Sequence, residues 1–222
     1  MTGASFLKSK FLGTTIAFVS NESFQNQTVR LAKPSDIKGI AKTFAKAFYD
    51  DPVSSYFFPN DATRARALEK FFAIQVKYYL RKGIVYTNDD FHGASVWAAP
   101  NYKYGSVGEF FSLAPMLAVL KGGSSRAIRA LNVLDSKHPH DFEHYYLSTL
   151  ATHPQFQGKG VGSSMLKPIL EICDSKAIPS YLESSKIENI PFYSSLGFKV
   201  TEEVSLPLNG PTLYLMWREP KN

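Results

Sequence analysis

The residues of this chain best equipped for chemistry are the run Leu150-Ala151-Thr152-His153-Pro154-Gln155-Phe156-Gln157-Gly158-Lys159-Gly160-Val161-Gly162-Ser163. Gly158, Gly160 and Gly162 let successive main-chain N–H groups converge with no Cβ in the way. A strand ends before them and a helix opens after them. The first amides of that helix have no earlier turn to bond, and its dipole is positive at that end. Lys159 adds a cation. Such a turn is built to hold a phosphate or pyrophosphate. It is not a Walker loop, because no Gly-Lys-Ser/Thr follows at the needed spacing. It also misses the third glycine of a Rossmann fingerprint. The residues alone leave open which phosphate it takes, or whether it is only a tight turn.

The elements that must position this turn can be read from periodicity. Thr28–Ala32 alternates as a first strand. Asp36 is the expected N-cap of a helix to Phe48, with Ile37, Ile40, Ala41, Phe44, Ala45 and Phe48 on one face. Pro52 and Pro59 bound an aromatic segment expected to be irregular. A long helix is predicted over Ala62–Arg81, stopped by Gly83. Strands Ile84–Thr87 and Ala94–Ala99 follow, joined by an Asn88-Asp89-Asp90 turn. Tyr104–Leu134 reads as helical with a break at Gly122-Gly123-Ser124-Ser125. Then come strand Tyr145–Thr152, helix Gly160–Lys176, strand Pro179–Ser184, a short helix Ile190–Leu196, and strands Phe198–Val204 and Thr212–Arg218. Pro168 argues for ending the Gly160–Lys176 helix at Lys167, yet Val161, Met165, Ile169, Ile172 and Cys173 carry the apolar face through it. The strand–helix–strand run implies one parallel crossover among antiparallel neighbours. The predicted fold class is α/β, with a mixed, mostly antiparallel sheet and helices on both faces.

Two motifs together resemble the GNAT acetyltransferases. Gln157-x-x-Gly160-x-Gly162 after a strand matches that family's Q/R-x-x-G-x-G/A signature. Asn189-Ile190-Pro191-Phe192-Tyr193-Ser194-Ser195-Leu196-Gly197-Phe198 resembles its N-x-x-x-Y-x-x-x-G-F segment. The resemblance is closer to the subgroup with puromycin N-acetyltransferase-like proteins. Shared with it are Leu147-x-x-Leu150-Ala151-x-His153-Pro154, Pro168 within the next helix, and Tyr181-Leu182-Glu183-x-Ser185. Asp50-Asp51-Pro52, Phe57-Phe58-Pro59, and Val96-Trp97 with Pro100 also look like that subgroup. The match is strong from about Tyr145 to Phe198 and weaker before it. It implies the acyl-CoA N-acyltransferase fold, a helix continuous through Pro168, and acetyl-CoA as cofactor.

The same resemblance implies roles. The strand ending at Leu150-Ala151-Thr152 splays from its neighbour. Leu150 N–H then serves the thioester oxygen, while Ala151 and Thr152 line the pantetheine arm. Gln157, Gly158, Lys159, Gly160, Val161, Gly162 and Ser163 hold the pyrophosphate. Tyr193 is the expected general acid, since among Phe192, Tyr193 and Phe198 it alone carries a proton at its tip. Asn189 contacts the cofactor or caps the short helix. Glu183 is the expected general base, needed because an alkyl amine with pKa near 10 is only about one part in a thousand neutral at pH 7. His144 and His153 are alternatives. The histidines that some relatives carry on the oxyanion strand are replaced here by Tyr146 and Ser148. Asp50, Asp51, Tyr56 and Phe57 are expected to border the acceptor pocket, where carboxylates and aromatics suit a cationic amine with an apolar body.

Composition agrees with this reading and sets its limits. The 222 residues carry a formal net charge of +6, with basic residues scattered rather than clustered. That favours a small anionic ligand over nucleic acid, which is not expected as a partner. The single Cys173 excludes an intrachain disulfide and a cysteine-built zinc site, and no metal is expected. No run of about 18 apolar residues suggests a membrane span. A cytoplasmic monomer or homodimer is the expectation, with residues 1–27 as a partly ordered extension and 28–222 as one domain. The predicted activity is acetyl transfer to a primary amine, of a small molecule, by direct attack in a ternary complex. A protein or peptide acetyltransferase and a non-catalytic acyl-CoA-binding protein are the alternatives.

Overall fold

A computed structural model of the protein describes residues 28–100, 115–116, 118–120 and 124–221. The extension 1–27 and much of the helical stretch predicted before Gly122 lie outside the described residues. The described elements run β1 (Arg30–Leu31), α1 (Ile37–Ala47), α2 (Pro52–Phe57), α3 (Asp61–Lys82), β2 (Ile84–Thr87), β3 (Gly93–Ala98), α4 (Ser124–Lys137), β4 (Tyr145–Thr152), α5 (Val161–Lys176), β5 (Ser180–Ser184), α6 (Ile190–Ser195), β6 (Lys199–Ser205) and β7 (Thr212–Arg218).

The strands form one sheet in the order β1-β2-β3-β4-β5-β7-β6. Every neighbouring pair is antiparallel except β4 and β5. Helix α5 makes the crossover between those two. The sheet is coated on both faces, and alternation along β3 shows how. Ala94, Val96 and Ala98 pack against Ile40, Phe44, Leu68 and Val76 of α1 and α3. Trp97 turns the other way, toward Leu166, Ile169 and Cys173 of α5. β3 is buried along its whole length. This is the mixed, mostly antiparallel α/β architecture expected of an acyl-CoA N-acyltransferase fold.

Three local features depart from the periodicity or resolve it. The segment after Asp51 is helical, not irregular: Pro52 sits where its missing N–H costs nothing, and Asp51 Oδ1 accepts from the N–H groups of Val53 (2.9 Å) and Ser54 (3.2 Å). Asp36 precedes α1 but makes no cap bond to it. Its carboxylate instead accepts from the Arg30 guanidinium at 2.6 Å and from Lys33 N–H at 2.9 Å, and Arg30 holds it below the usual carboxylate range. Helix α5 runs unbroken through Pro168. The proline removes the donor that would reach Ser164 carbonyl. Val161, Met165, Leu166, Ile169, Leu170 and Cys173 are nevertheless all buried, and Ser95 Oγ of β3 donates to Met165 carbonyl at 2.8 Å. Burial of a whole helix face, worth roughly 1.5–3 kcal/mol per large side chain, outweighs one lost bond.

Candidate active site

The glycine turn and the opening of α5 form one wall of a cleft of about 1020 Å³. Gly158 and Gly160 adopt φ of 72° and 79°, a left-handed conformation that other residues take only under strain. A Cβ at either glycine would meet nothing within 4 Å. The backbone conformation, with the open space in front of it, is therefore what requires glycine here. Ser164 N–H donates to Gly160 carbonyl at 3.0 Å, so the amides of Val161, Gly162 and Ser163 ahead of it have no earlier turn to bond. Gly93 of β3 lets that first turn sit close to the sheet, since a Cβ there would come within 2.7 Å of Val161 Cγ1.

The parallel pairing of β4 and β5 holds only from Tyr145–Leu147 against Ser180–Leu182. Beyond Leu147 and Leu182 the two strands separate, while β4 stays on β3 as far as Thr152 opposite Gly93. The main-chain groups of two residues then face the gap. His153 N–H donates to His92 carbonyl on the β3 side at 2.8 Å. Main-chain polar groups alternate along a strand, so those of Leu150 and Thr152 point away from β3, into the separation. A β-bulge lies just before: Val96 pairs with Thr149 and Trp97 with Leu147, leaving Ser148 as the extra residue. Consequently Ser148 and Thr149 both reach Gln75 of α3. Gln75 Nε2 donates to Ser148 Oγ at 3.3 Å, and Thr149 Oγ1 donates to Gln75 Oε1 at 3.1 Å.

Behind the gap lies a second cavity of about 220 Å³. Its lining is mostly apolar and aromatic, with Phe48, Phe57, Phe58, Phe71, Phe72, Leu134 and Leu213 around Gln75, Ser148, Thr149 and Glu183. Leu150, Tyr193, Phe48, Asp51, Ser185 and Asn189 line both cavities, so the two spaces meet at these residues. Tyr193 is 8 % exposed, and burial, with a smaller push from Asp51, raises its pKa well above the ordinary phenol value. Its hydroxyl therefore keeps its proton throughout the physiological range. Glu183 Oε2 accepts from Tyr146 hydroxyl at 2.6 Å, and its Oε1 lies 4.0 Å from His138 Nδ1.

The structure sorts the sequence-predicted residues. Leu150, Ala151, Thr152, Gln157, Gly158, Gly160, Val161, Gly162, Ser163 and Asn189 line the large cleft together. Lys159 lines neither cavity; its Nζ lies 5.2 Å from the Phe156 ring centroid. Asn189 makes no side-chain cap to α6 and faces both cavities. Asp51 and Phe57 line the second cavity, whereas Asp50 and Tyr56 do not. Asp50 is exposed. Tyr56 hydroxyl donates to Pro207 carbonyl at 2.6 Å, with Arg126 stacked 5.0 Å over its ring. Asp51, besides capping α2, takes a short hydrogen bond from Ser185 hydroxyl. His153 shapes the turn, accepting from Gln155 N–H at 3.4 Å, while burial and nearby Lys46 lower its pKa. The sequence motifs do not single out Gln75 or His138. Gln75 alone carried a readable signal, as the one uncharged amide inside the apolar stretch Phe71–Leu80.

Comparison with known proteins bears on the same region. The sequence model of the acetyltransferase (GNAT) domain family matches residues 127–200, which contain both motifs. A Schizosaccharomyces pombe protein named as an uncharacterised N-acetyltransferase is 28% identical, over 84% of this chain and 81% of its own length. Among solved structures, a Corynebacterium glutamicum protein named as histone acetyltransferase HPA2 and related acetyltransferase superposes with a TM-score of 0.68. It shares 23% identity and covers 88% of this chain and 97% of its own. Arylalkylamine N-acetyltransferase 2 of Aedes aegypti has a TM-score of 0.56 at 12% identity, over 88% of this chain and 100% of its own. The solved structures share the fold of this chain, and residues 127–200, which hold the glycine turn, are similar to the acetyltransferase (GNAT) domain.

Proposed function

We propose that the protein transfers the acetyl group of acetyl-CoA to the primary amine of a small molecule with an apolar, ring-sized body, by direct attack in a ternary complex. The observation that carries this is the aromatic cavity of about 220 Å³ holding Glu183, which meets the glycine-turn cleft at Leu150 and Tyr193. Its volume falls below the ~300 Å³ at which sites for drug-sized ligands begin, so the acceptor is smaller still. The shared motifs around Leu150 and Glu183 are our ground for placing the chain near the puromycin N-acetyltransferase-like subgroup.

The residues of the cleft fit acetyl-CoA. Left-handed glycines facing open space and the unbonded amides of Val161, Gly162 and Ser163 suit a pyrophosphate. The edge of β4 that β5 leaves at Leu150 and Thr152 suits an extended amide-bearing arm. When bound, acetyl-CoA supplies an activated acetyl thioester. The chain's own groups do the rest. Glu183 takes a proton from the incoming ammonium, because only the neutral amine is nucleophilic. Leu150 N–H donates to the carbonyl oxygen as negative charge gathers there. Tyr193 hydroxyl, kept protonated by burial, gives its proton to the departing sulfur and is refilled from the amine nitrogen. Phe48, Phe57 and Phe72 hold the apolar body and exclude water.

Thiol release from acetyl-CoA, followed over a panel of arylalkylamines, polyamines and lysine-bearing peptides, tests the reading. Arylalkylamines are expected to show kcat/KM at least about tenfold above any peptide, as a one-ring difference in burial allows. Peptides turned over preferentially would instead identify a protein acetyltransferase. Binding of acetyl-CoA with no turnover of any amine would identify a non-catalytic binder.

A further inference from the structure

Acetyl transfer from a thioester to an ammonium releases one net proton: R–NH3+ and acetyl-CoA give the amide, free thiol and H+. Glu183, which takes that proton in the proposed reaction, has a side chain only 10 % exposed. It must hand the proton on before the next turnover. The loop between α4 and β4 places a pair of histidines against it. His138 Nδ1 lies 4.0 Å from Glu183 Oε1, and its side chain is 7 % exposed. His138 Nε2 lies 3.1 Å from His144 Nε2, and His144 Nδ1 lies 2.7 Å from Phe142 carbonyl.

Those contacts fix the protons along the row. A carbonyl can only accept, so His144 Nδ1 carries its proton and donates to Phe142. His144 is therefore an acceptor at Nε2 when neutral. Burial lowers its pKa, which keeps it neutral near pH 7. His138 must then donate from Nε2, which leaves the lone pair of Nδ1 facing the Glu183 carboxyl. Such second-partner control of an imidazole is how a base is aimed in other acid–base sites. The separation of 4.0 Å is long for a hydrogen bond, as catalytic contacts commonly are without substrate. Other titratable groups around His138 include, among the described residues, Tyr181 of β5 and Tyr146 of β4, with ring centroids at 5.2 and 5.1 Å, and His140 of its own loop at 5.1 Å. Lys137 beside it is engaged with Glu202 of β6, and His140 with Asp135.

We propose that His138, aimed by His144 and the Phe142 carbonyl, receives at Nδ1 the proton Glu183 strips from the amine and returns it to solvent. The proton leaves from the loop on which His138 stands, where His140 is 47 % exposed. His138 is thus a positioning residue acting through Glu183. The proposal rests on the acetyl-transfer reading above.

The test compares two primary amines of one body: an arylalkylamine, and a fluorinated analogue whose amine is mostly neutral at pH 7. His138→Gln keeps a donor toward His144 but cannot take a proton. It is expected to lower kcat/KM for the arylalkylamine between about 10-fold and 100-fold at pH 7, with less than a twofold loss for the analogue. The deficit should shrink as pH rises toward the amine's own pKa. His144→Gln, which frees the His138 tautomer, is expected to show a smaller loss of the same selective kind. Equal losses for both amines, or no loss for either, would overturn the relay. Wild-type protein that releases no thiol with any amine would instead overturn the acetyl-transfer reading, and the relay with it.

Discussion

At the scale of single residues, the account separates groups that move protons from groups that shape space. Tyr193→Phe removes one hydroxyl from a buried ring and leaves the packing with Phe192 and Phe198 intact. We expect kcat to fall about 10²–10⁴-fold, while acetyl-CoA affinity by titration and the melting temperature stay near wild type. Because burial raises the Tyr193 pKa, loss of its proton should add no alkaline limb to the kcat profile below about pH 10. A limb at pH 8 that disappears in Tyr193→Phe would contradict the assignment. Glu183→Gln should lower kcat/KM for an alkyl amine about 100-fold at pH 7, a deficit that fades near pH 10 as the amine arrives neutral. The glycines, Tyr193 and Glu183 could be read from the sequence because their types and spacing carry the motif. His138 could not. Its relation to Glu183 is made by a loop turning back on the sheet, across 45 residues that no local pattern connects.

Among the elements, what matters is how helix ends and strand register fix the site. Helix α2 depends on Asp51, which caps its start and also holds Ser185 at the mouth of both cavities. Asp51→Ala is expected to cost about 1–2 kcal/mol. For a domain of this size that is a drop in melting temperature of about 2–8 °C. Asp51→Asn, which can still cap, should recover most of it in the same thermal melts. The aromatic stretch after Asp51 hides this helix, since its two prolines suggest a loop. Strand β4, by contrast, was legible to the residue, because Tyr145–Thr152 alternates and ends at His153-Pro154. Its bulge at Ser148 was not. A bulge depends on the partner strand's register, and that is a tertiary fact.

Across the whole molecule, two ion pairs, one local and one joining segments 44 residues apart, set the acid limit of stability. Asp36 is held by Arg30, and Asp174 by the buried Arg218, which lies 2.8 Å away. Both carboxyls titrate below their ordinary value because of those guanidinium bonds. A depressed folded-state pKa stabilises the fold above the unfolded value near 4 and loses that contribution as pH falls through the folded one. Urea unfolding should therefore show stability falling steeply below about pH 4, with a shallower slope in Asp174→Asn. The mixed, mostly antiparallel sheet and its two-sided coating followed from alternating strands and amphipathic helices. The separation of β4 from β5 did not, although it is what turns a sheet into a site. A chain beginning at Thr28 should retain cofactor binding if residues 28–222 are the functional unit. The most direct test of the central claim is isothermal titration of acetyl-CoA into the wild-type protein beside Gly160→Trp, a substitution that strains the turn and fills the open space before it. Saturable binding by the wild type, weakened at least about tenfold in the variant (some 1.4 kcal/mol), is the predicted result. Equal binding by both proteins would place the cofactor elsewhere, and no binding by either would contradict the acetyl-CoA site altogether.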